Sequence, residues 1–510
     1  MKVSLVWLGL CLMLGMACSY SGKPQPTAAA PLQQTPQVPA AQNRKHCGDG
    51  VCDGPENAKS CPQDCSPSAS GTQNAQPNPS LPPAAQPQQG GEVILFQIVE
   101  HEVHRFNNCN QFNMRQYLDG GYVQRDGGSS RILKLQGHPT SMLTAEKMDR
   151  YYYISSEQNP VGESAGFPTF NWDVAGQALW TADFAANTPQ ALTTPGAESF
   201  PGDVASAPRN RFVLYPLTLP TSSAPGQQPG MLFSSKFDPF ASDSSLVIFN
   251  PASGTHTAIL ANAYNRALFS SFGDFSADGS AFYTISLSGG GFQLVKISLE
   301  NGTVSAFDSV FPAFNWKALN WNEFFSTNTG LATAHFRISP DEKRLVAYRA
   351  VFSASSTPAT PCALSGSYHL WVFHLDDGRL EEYRNQPGVV ADADWKSDSS
   401  AFALAIVDNT GCYPEYLNSH IALFDPQGTM LTELVSEPRS KITHILWSPQ
   451  SDALGYDVYS TDYVGRIKLV NASNKSVSEV INTDSLRYAP NLQNPVTLSL
   501  AGWMKAGGMP

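Results

Sequence analysis

Four times in the back half of the chain an eight-residue phrase recurs, and each time two apolar strands follow it. It reads FSADGSAF from Phe275, ISPDEKRL from Ile338, WKSDSSAF from Trp395 and WSPQSDAL from Trp447. Behind the copies come FYTIS and FQLVKISLENG, LVAYR and YHLWVFHLDDG, FALAIV and HIALFDPQG, and LGYDVY and RIKLVNASN. A repeat on this scale fixes the architecture before any single residue matters. Each unit is a turn between two strands, then a third strand, then in most copies a hairpin turn carrying Asn-Gly, Asp-Gly or Gln-Gly. That pattern predicts one four-stranded blade, and stacked blades make an all-β propeller.

Fainter copies extend the series. VASAPRNRFVLY puts an anchor at Ala205, LTAEKMDRYYYIS puts one at Leu143, and LAGWMKAGG puts Trp503 in the anchor position. The anchors at 143, 205, 275, 338, 395, 447 and 503 lie 52 to 70 residues apart. They predict seven blades, with six and eight as the neighbouring alternatives. Only Met504 to Pro510 follow the last anchor, too few for the rest of a blade. A lone strand would leave its edges unpaired. The ring is therefore expected to close by pairing the C-terminal strand with the segment holding EVILFQIVEHEV and SRILKL.

The phrases WSPQ, ISPDE and FSADG resemble the anchor motif of the TolB-like, WD-like (PD40-type) propeller family, whose consensus is close to W-S-P-D-G. The resemblance covers residues 92–510. It implies the fold, and it says little about function, because the family is a scaffold for many roles. Members include partner-binding periplasmic proteins and the propeller halves of serine peptidases.

The segment before the propeller is of another kind. Residues 1–17 read as a secretory signal, with one lysine ahead of an apolar run from Val3 to Met16. That run is shorter than the about 20 residues a membrane span needs. Cys18 after Ala17 resembles the lipidation cysteine of a bacterial lipoprotein, although Leu14 stands one place further from it than the motif has its leucine. Ordinary cleavage and a free secreted protein is the alternative. Residues 18–45 and 67–91 are rich in Pro, Gln, Ala and Ser, and such composition makes disordered tethers.

Between the tethers, residues 46–66 hold Cys47, Cys52, Cys61 and Cys65 in a C-x4-C-x8-C-x3-C spacing. A piece this short cannot build a core, so two disulfides are expected in an exported chain, with the connectivity open. Asp49, Asp53, Glu56, Asn57 and Asp64 add hard oxygen donors, so calcium is an alternative staple. No other cofactor is expected. Cys11 lies in the signal. Cys362 and Cys412 fall in equivalent loops of adjacent blades and are expected to pair, which leaves Cys109 over.

The net charge of −11, with charged residues at 15%, provides no basic face for nucleic acid or acidic lipid. The membrane is expected as a partner only through the lipid anchor. No G-x-S-x-G elbow, HExxH or Walker motif occurs.

Two groups of residues are candidate sites. The run from Phe311 to Gly330 holds Phe314, Trp316, Trp321, Phe324 and Phe325 among Asn315, Asn320, Asn322 and Asn328. Aromatic faces beside amide groups suit peptides or sugars, and a loop folded onto the ring as a cap is the bland reading. The second group lies at fixed offsets from the anchors. Three residues before them stand His335, Asp392 and His444, a set that could hold a transition metal. One residue before them, starting a blade earlier, stand Asp274, Arg337 and Asp394, read as a ring of ion pairs.

The sequence therefore leads us to expect an exported propeller, anchored as an outer-membrane lipoprotein facing the periplasm or the cell surface. Its partner would be an envelope protein, peptide or glycan, bound without catalysis. A metal-dependent lyase or hydrolase using His335, Asp392 and His444, and a structural envelope or adhesion protein, are the alternatives.

Overall fold

The strand FALAIV, Phe402–Val407, shows how this sequence becomes a sheet. All six residues are buried. Phe402, Leu404 and Ile406 face one way, into a cluster with Val346, Tyr348 and Leu370. Ala403 and Ala405 face the other way, against Ile445, Trp447 and Tyr456. The period of two therefore separates large from small residues, and each face receives the neighbour it has room for.

The computed structural model describes residues 91–105, 111–157, 161–164, 167–170, 177–193, 205–206, 213–218, 244–261, 273–288, 291–313, 334–354, 364–408, 418–462, 464–486 and 496–505. All of these belong to one structural unit. They are almost entirely strand, and no helix among them is long and apolar enough to cross a membrane.

Six four-stranded antiparallel sheets are each built from one continuous stretch of chain. Blade 2 runs from His138–Pro139 through Arg150–Ser156 and Ala178–Asp183 to Gln190–Ala191. Blade 3 runs from Ala205–Ser206 to Thr255–Ala261, blade 4 from Gly273–Phe275 to Val304–Ala306, and blade 5 from Ala334–Ile338 to Leu380–Pro387. Blade 6 runs from Val389–Trp395 to Met430–Pro438, and blade 7 from Ser440–Trp447 to Val477–Asn482.

The sheet we number blade 1 joins both ends of the described chain, in the order Ser130–Leu133, Gln111–Gln124, Glu92–Arg105, Val496–Lys505. Its closing register pairs Glu92 with Lys505 and runs to Glu100 with Val496. The sequence pattern had marked both partners of this closure but not the third strand, Gln111–Gln124. A two-stranded hairpin, Val161–Ser164 with Phe167–Phe170, lies in the chain between the second and third strands of blade 2 and was not foreseen.

The sheets make a propeller because the core lies between them. One cluster joins blades 5 and 6, another blades 6 and 7, a third blade 7 to blade 1, a fourth blades 1 and 2, and a fifth blades 2 and 3. Burying one such leucine is worth about 2–3 kcal/mol, so the stack of blade faces supplies most of the cohesion.

The anchors fall in or beside the innermost strands. Phe275, Ile338, Trp395 and Trp447 end theirs, and Trp503 lies inside Val496–Lys505. Leu143 differs: it lies past the short strand His138–Pro139, buried, with its N–H donated to Gln97 Oε1 at 2.6 Å. In three of the four clear copies the turn after the anchor is held by the next serine. Ser276 Oγ accepts the N–H groups of Ser280 and Ala281, and Ser339 Oγ accepts that of Arg344.

Four residues past the anchor the backbone turns left-handed. Gly279 suits that conformation, while Glu342, Ser399 and Ser451 adopt it at a small steric cost. These three side chains all reach the preceding blade. Glu342 accepts from the Tyr283 hydroxyl and from Lys296 Nζ, Ser399 Oγ accepts the Asp341 N–H at 3.0 Å, and Ser451 Oγ accepts the Ser397 N–H at 2.9 Å.

Candidate functional site

The innermost strands carry the densest set of ionisable groups. Asp274 Oδ1 accepts the Phe275 N–H at 2.9 Å in its own strand, and Oδ2 accepts the Ile338 N–H of blade 5 at 2.8 Å. Asp394 does the same one step on, taking the Trp395 N–H at 3.0 Å and the Trp447 N–H of blade 7 at 2.7 Å. Arg337 stands at the equivalent position of blade 5 and inverts the polarity. Its Nε donates to Ala393 O at 3.0 Å and its Nη2 to Asp392 Oδ1 at 3.2 Å, both in blade 6. The equal offsets of Asp274, Arg337 and Asp394 thus become three straps from one blade to the next.

Burial pushes the Asp394 carboxyl up to about 7, against the pull of the Trp447 N–H and Arg337. Burial also raises Asp274, again opposed by Arg337. For Arg337, burial works against the charge, but Asp392 and Asp274 outweigh it and hold the guanidinium above its ordinary range. Glu146 belongs to this neighbourhood although nothing in the repeat marks it. Its side chain is open to solvent by surface area, yet enclosure by the surrounding protein is the main cause lifting its carboxyl to about 8. Asp394 and Asp274 add to the shift, so carboxylates from blades 2, 4 and 6 share one electrostatic neighbourhood.

The structure distributes His335, Asp392 and His444 among separate local contacts. Asp392 Oδ2 accepts the Ile445 N–H of blade 7 at 3.0 Å, and its Oδ1 takes Arg337 and the Ala393 N–H. The His335 ring stacks on Tyr348 with centroids 5.2 Å apart. His444 Nδ1 contacts Asp457 Oδ2 at 2.6 Å. Asp457 is buried, and it also accepts the Thr443, His444 and Leu500 N–H groups and the Thr443 hydroxyl. Burial works against its charge, but the His444 imidazole and these donors hold it below the usual carboxylate range.

The one group of three metal-ligating side chains brought together among the described residues lies elsewhere: His374, Asp376 and Asp377. Sequence reasoning passed over it because HLDDG reads as a hairpin turn. It also passed over Asp457, whose signal was a carboxylate inside the otherwise apolar strand Ala453–Ser460.

Several expected sites fall outside the described residues: Trp316, Asn320, Trp321, Asn322, Phe324 and Phe325; the cysteines at 18, 47, 52, 61, 65, 109, 362 and 412; and Asp49, Asp53, Glu56 and Asp64. The aromatic run connects the last strand of blade 4 to Ala334–Ile338, the innermost strand of blade 5.

No family model matches the sequence, and no curated protein matches it. Among solved structures, TolB from Acinetobacter baumannii is similar at 12% identity and a TM-score of 0.33, over 81% of this chain and 83% of that one. A putative 6-phosphogluconolactonase from Bacteroides uniformis is similar at 13% identity and a TM-score of 0.40, over 81% and 98%. An oligogalacturonate lyase in complex with manganese is similar at 10% identity and a TM-score of 0.40, over 78% and 86%.

Proposed function

We propose that the chain is an exported, lipid-anchored propeller that binds a protein, peptide or glycan at the cell envelope and carries out no chemistry of its own. Cys18 carries the lipid, residues 18–45 and 67–91 act as tethers, and a Cys362–Cys412 disulfide ties neighbouring loops. The chain then faces the periplasm or the cell surface. The observation that supports a scaffold role is the use made of the inner carboxylates. Both oxygens of Asp274, Asp392, Asp394 and Asp457 accept hydrogen bonds from the chain itself, most of them from backbone N–H groups. Groups so engaged hold blades together rather than transfer protons, since a general base needs a free lone pair aimed at its substrate. Recognition then falls to the loops, and the run from Trp316 to Phe325 has the composition for it.

The test is an affinity capture from envelope extract with the mature chain beside a Trp316→Ala/Trp321→Ala variant of equal melting temperature. A partner held by the parent and released by the variant supports the reading. Equal capture by both removes the loop from it. Loss of a bound transition metal on His335→Ala or His444→Ala would instead support the metal-dependent enzyme.

A further inference from the structure

Five outer hairpins among the described residues share one turn. In each, the residue at the end of the third strand accepts the N–H of the residue four places on, at 2.8 to 2.9 Å. The pairs are Asp183 with Asn187, Asn250 with Gly254, Ser298 with Gly302, His374 with Gly378 and Asn471 with Lys475. In three of the five the same residue also caps the turn with its side chain, as such residues commonly do. Asp183 Oδ1 takes the Ala185 and Ala186 N–H groups, Asn250 Oδ1 those of Ala252 and Ser253, and Asn471 Oδ1 those of Ser473 and Asn474.

Blade 5 puts an imidazole at that position. His374 is fully buried. Its Nδ1 meets Arg379 Nη2 at 3.2 Å, and its Nε2 has no hydrogen-bond partner. A buried ring nitrogen left unsatisfied is uncommon and calls for an explanation. Two exposed carboxylates stand beside the ring. One nitrogen of His374 and one oxygen each from Asp376 and Asp377 lie within 4.8 Å of one another. Asp377 Oδ1 also accepts the Arg379 N–H at 2.9 Å, so the turn fixes that carboxylate from one side.

We propose that this hairpin binds a divalent ion of the zinc class through His374, Asp376 and Asp377. The donor set fits: an imidazole nitrogen and two carboxylate oxygens are ordinary zinc ligands, at about 2.0–2.2 Å, and three protein ligands leave a coordination position for water. Arg344 Nη1 holds Asp376 Oδ1 at 3.1 Å, and Arg379 holds the ring. Arg344 is a long side chain that swings aside when an ion takes that contact, and coordination through the free Nε2 leaves Arg379 on Nδ1 in place. Because the carboxylates are exposed, they close on the ion by rotating about their own side-chain bonds.

The sister hairpins supply variants that keep the fold. His374→Asn installs the cap residue of the Asn250 and Asn471 turns. Asp377→Asn keeps the turn acceptor, as Asn301 and Asn474 do in their hairpins. Zinc chloride is titrated into the mature chain and both variants by calorimetry, with melting temperature followed in parallel. The parent should bind one more equivalent of zinc than His374→Asn, and zinc should raise the melting temperature of the parent alone. Asp377→Asn should bind that equivalent at least about tenfold more weakly, the loss that removing a metal ligand or its support brings. Taking the difference cancels any zinc held elsewhere, for example by the cysteines of residues 46–66. Equal stoichiometry and affinity in the parent and in His374→Asn would overturn the proposal.

Discussion

The carboxylate of Asp394 in blade 6 accepts the Trp447 N–H of blade 7 at 2.7 Å, while its other oxygen accepts the N–H of Trp395 beside it. One side chain thus ties the anchor residues of two neighbouring blades to each other. Replacing Asp394 with alanine orphans both donors, at about 1–3 kcal/mol for each one left buried. Chemical denaturation of Asp394→Ala should show a lower midpoint with an unchanged slope. An unchanged midpoint would mean that water replaces the carboxylate without cost.

Glu146 should make the ring less stable as the pH rises. Enclosure by the surrounding protein pushes its carboxyl up to about 8 in the folded chain, above the ordinary 4.5. The folded state therefore binds more protons than the unfolded one between those values, and stability falls through that window. Asp394, raised to about 7, acts in the same direction. Glu146→Gln removes the effect of one group. Thermal melts of the variant and the parent should coincide near pH 4 and separate progressively up to pH 8, with the variant the more stable. Parallel curves at every pH would show that the carboxyl titrates normally.

Asp457 is the most heavily used side chain of blade 7. It serves Thr443, His444 and, in the closing strand, Leu500 at 2.9 Å. Asp457→Ala strands buried donors and leaves His444 without its counter-ion, a change of about 3–5 kcal/mol. Because Leu500 belongs to blade 1, the damage should reach the closure. Limited proteolysis of the variant should cut first in residues 92–133, and uniform resistance there would count against this role.

Gly465 marks a close approach of a different kind. A methyl group on it would lie 2.6 Å from Thr497 Cα and 2.7 Å from the Leu498 N atom, both backbone atoms of the closing strand. Neither can rotate away, so Gly465→Ala must shift a whole strand, at about 1–3 kcal/mol. Gly254→Ala makes a useful companion, because a side chain there meets no atom within 4 Å and only the φ of +68° opposes it. A denaturation midpoint lowered more by the first change than by the second is the expected result.

The repeat was legible because its physical cause is local. An anchor and a left-handed residue four places on recur in each of the four clear copies, with a serine that caps the turn in three of them, and they leave a mark in the order of residues. The placing of Asp274, Arg337 and Asp394 was legible for the same reason, but not their bonding: the expected ring of ion pairs gives way to backbone N–H donors at Asp274 and Asp394, and Arg337 pairs with Asp392 instead. Glu146 was not legible, because its neighbours Asp394 and Asp274 come to it only when blades 2, 4 and 6 surround one space. Asp457 showed as a charge in an apolar strand, but its partner Leu500 lies 43 residues on and across a blade boundary. His374 was hidden by a good turn signal: HLDDG makes a hairpin whatever the imidazole does.

The pairing of Glu92–Arg105 with Val496–Lys505 has a consequence in time. The ribosome delivers the chain from its N-terminus, so the strand that emerges early waits for one that emerges about 400 residues later. Blades 2 to 7 can each form as its own stretch appears, but the circle cannot be completed until the last strand has emerged. Such distant pairings form slowly and leave edges bare meanwhile. Closure is therefore the last step of folding, and a chain that stops short of its final strand is an open arc with two unpaired ends.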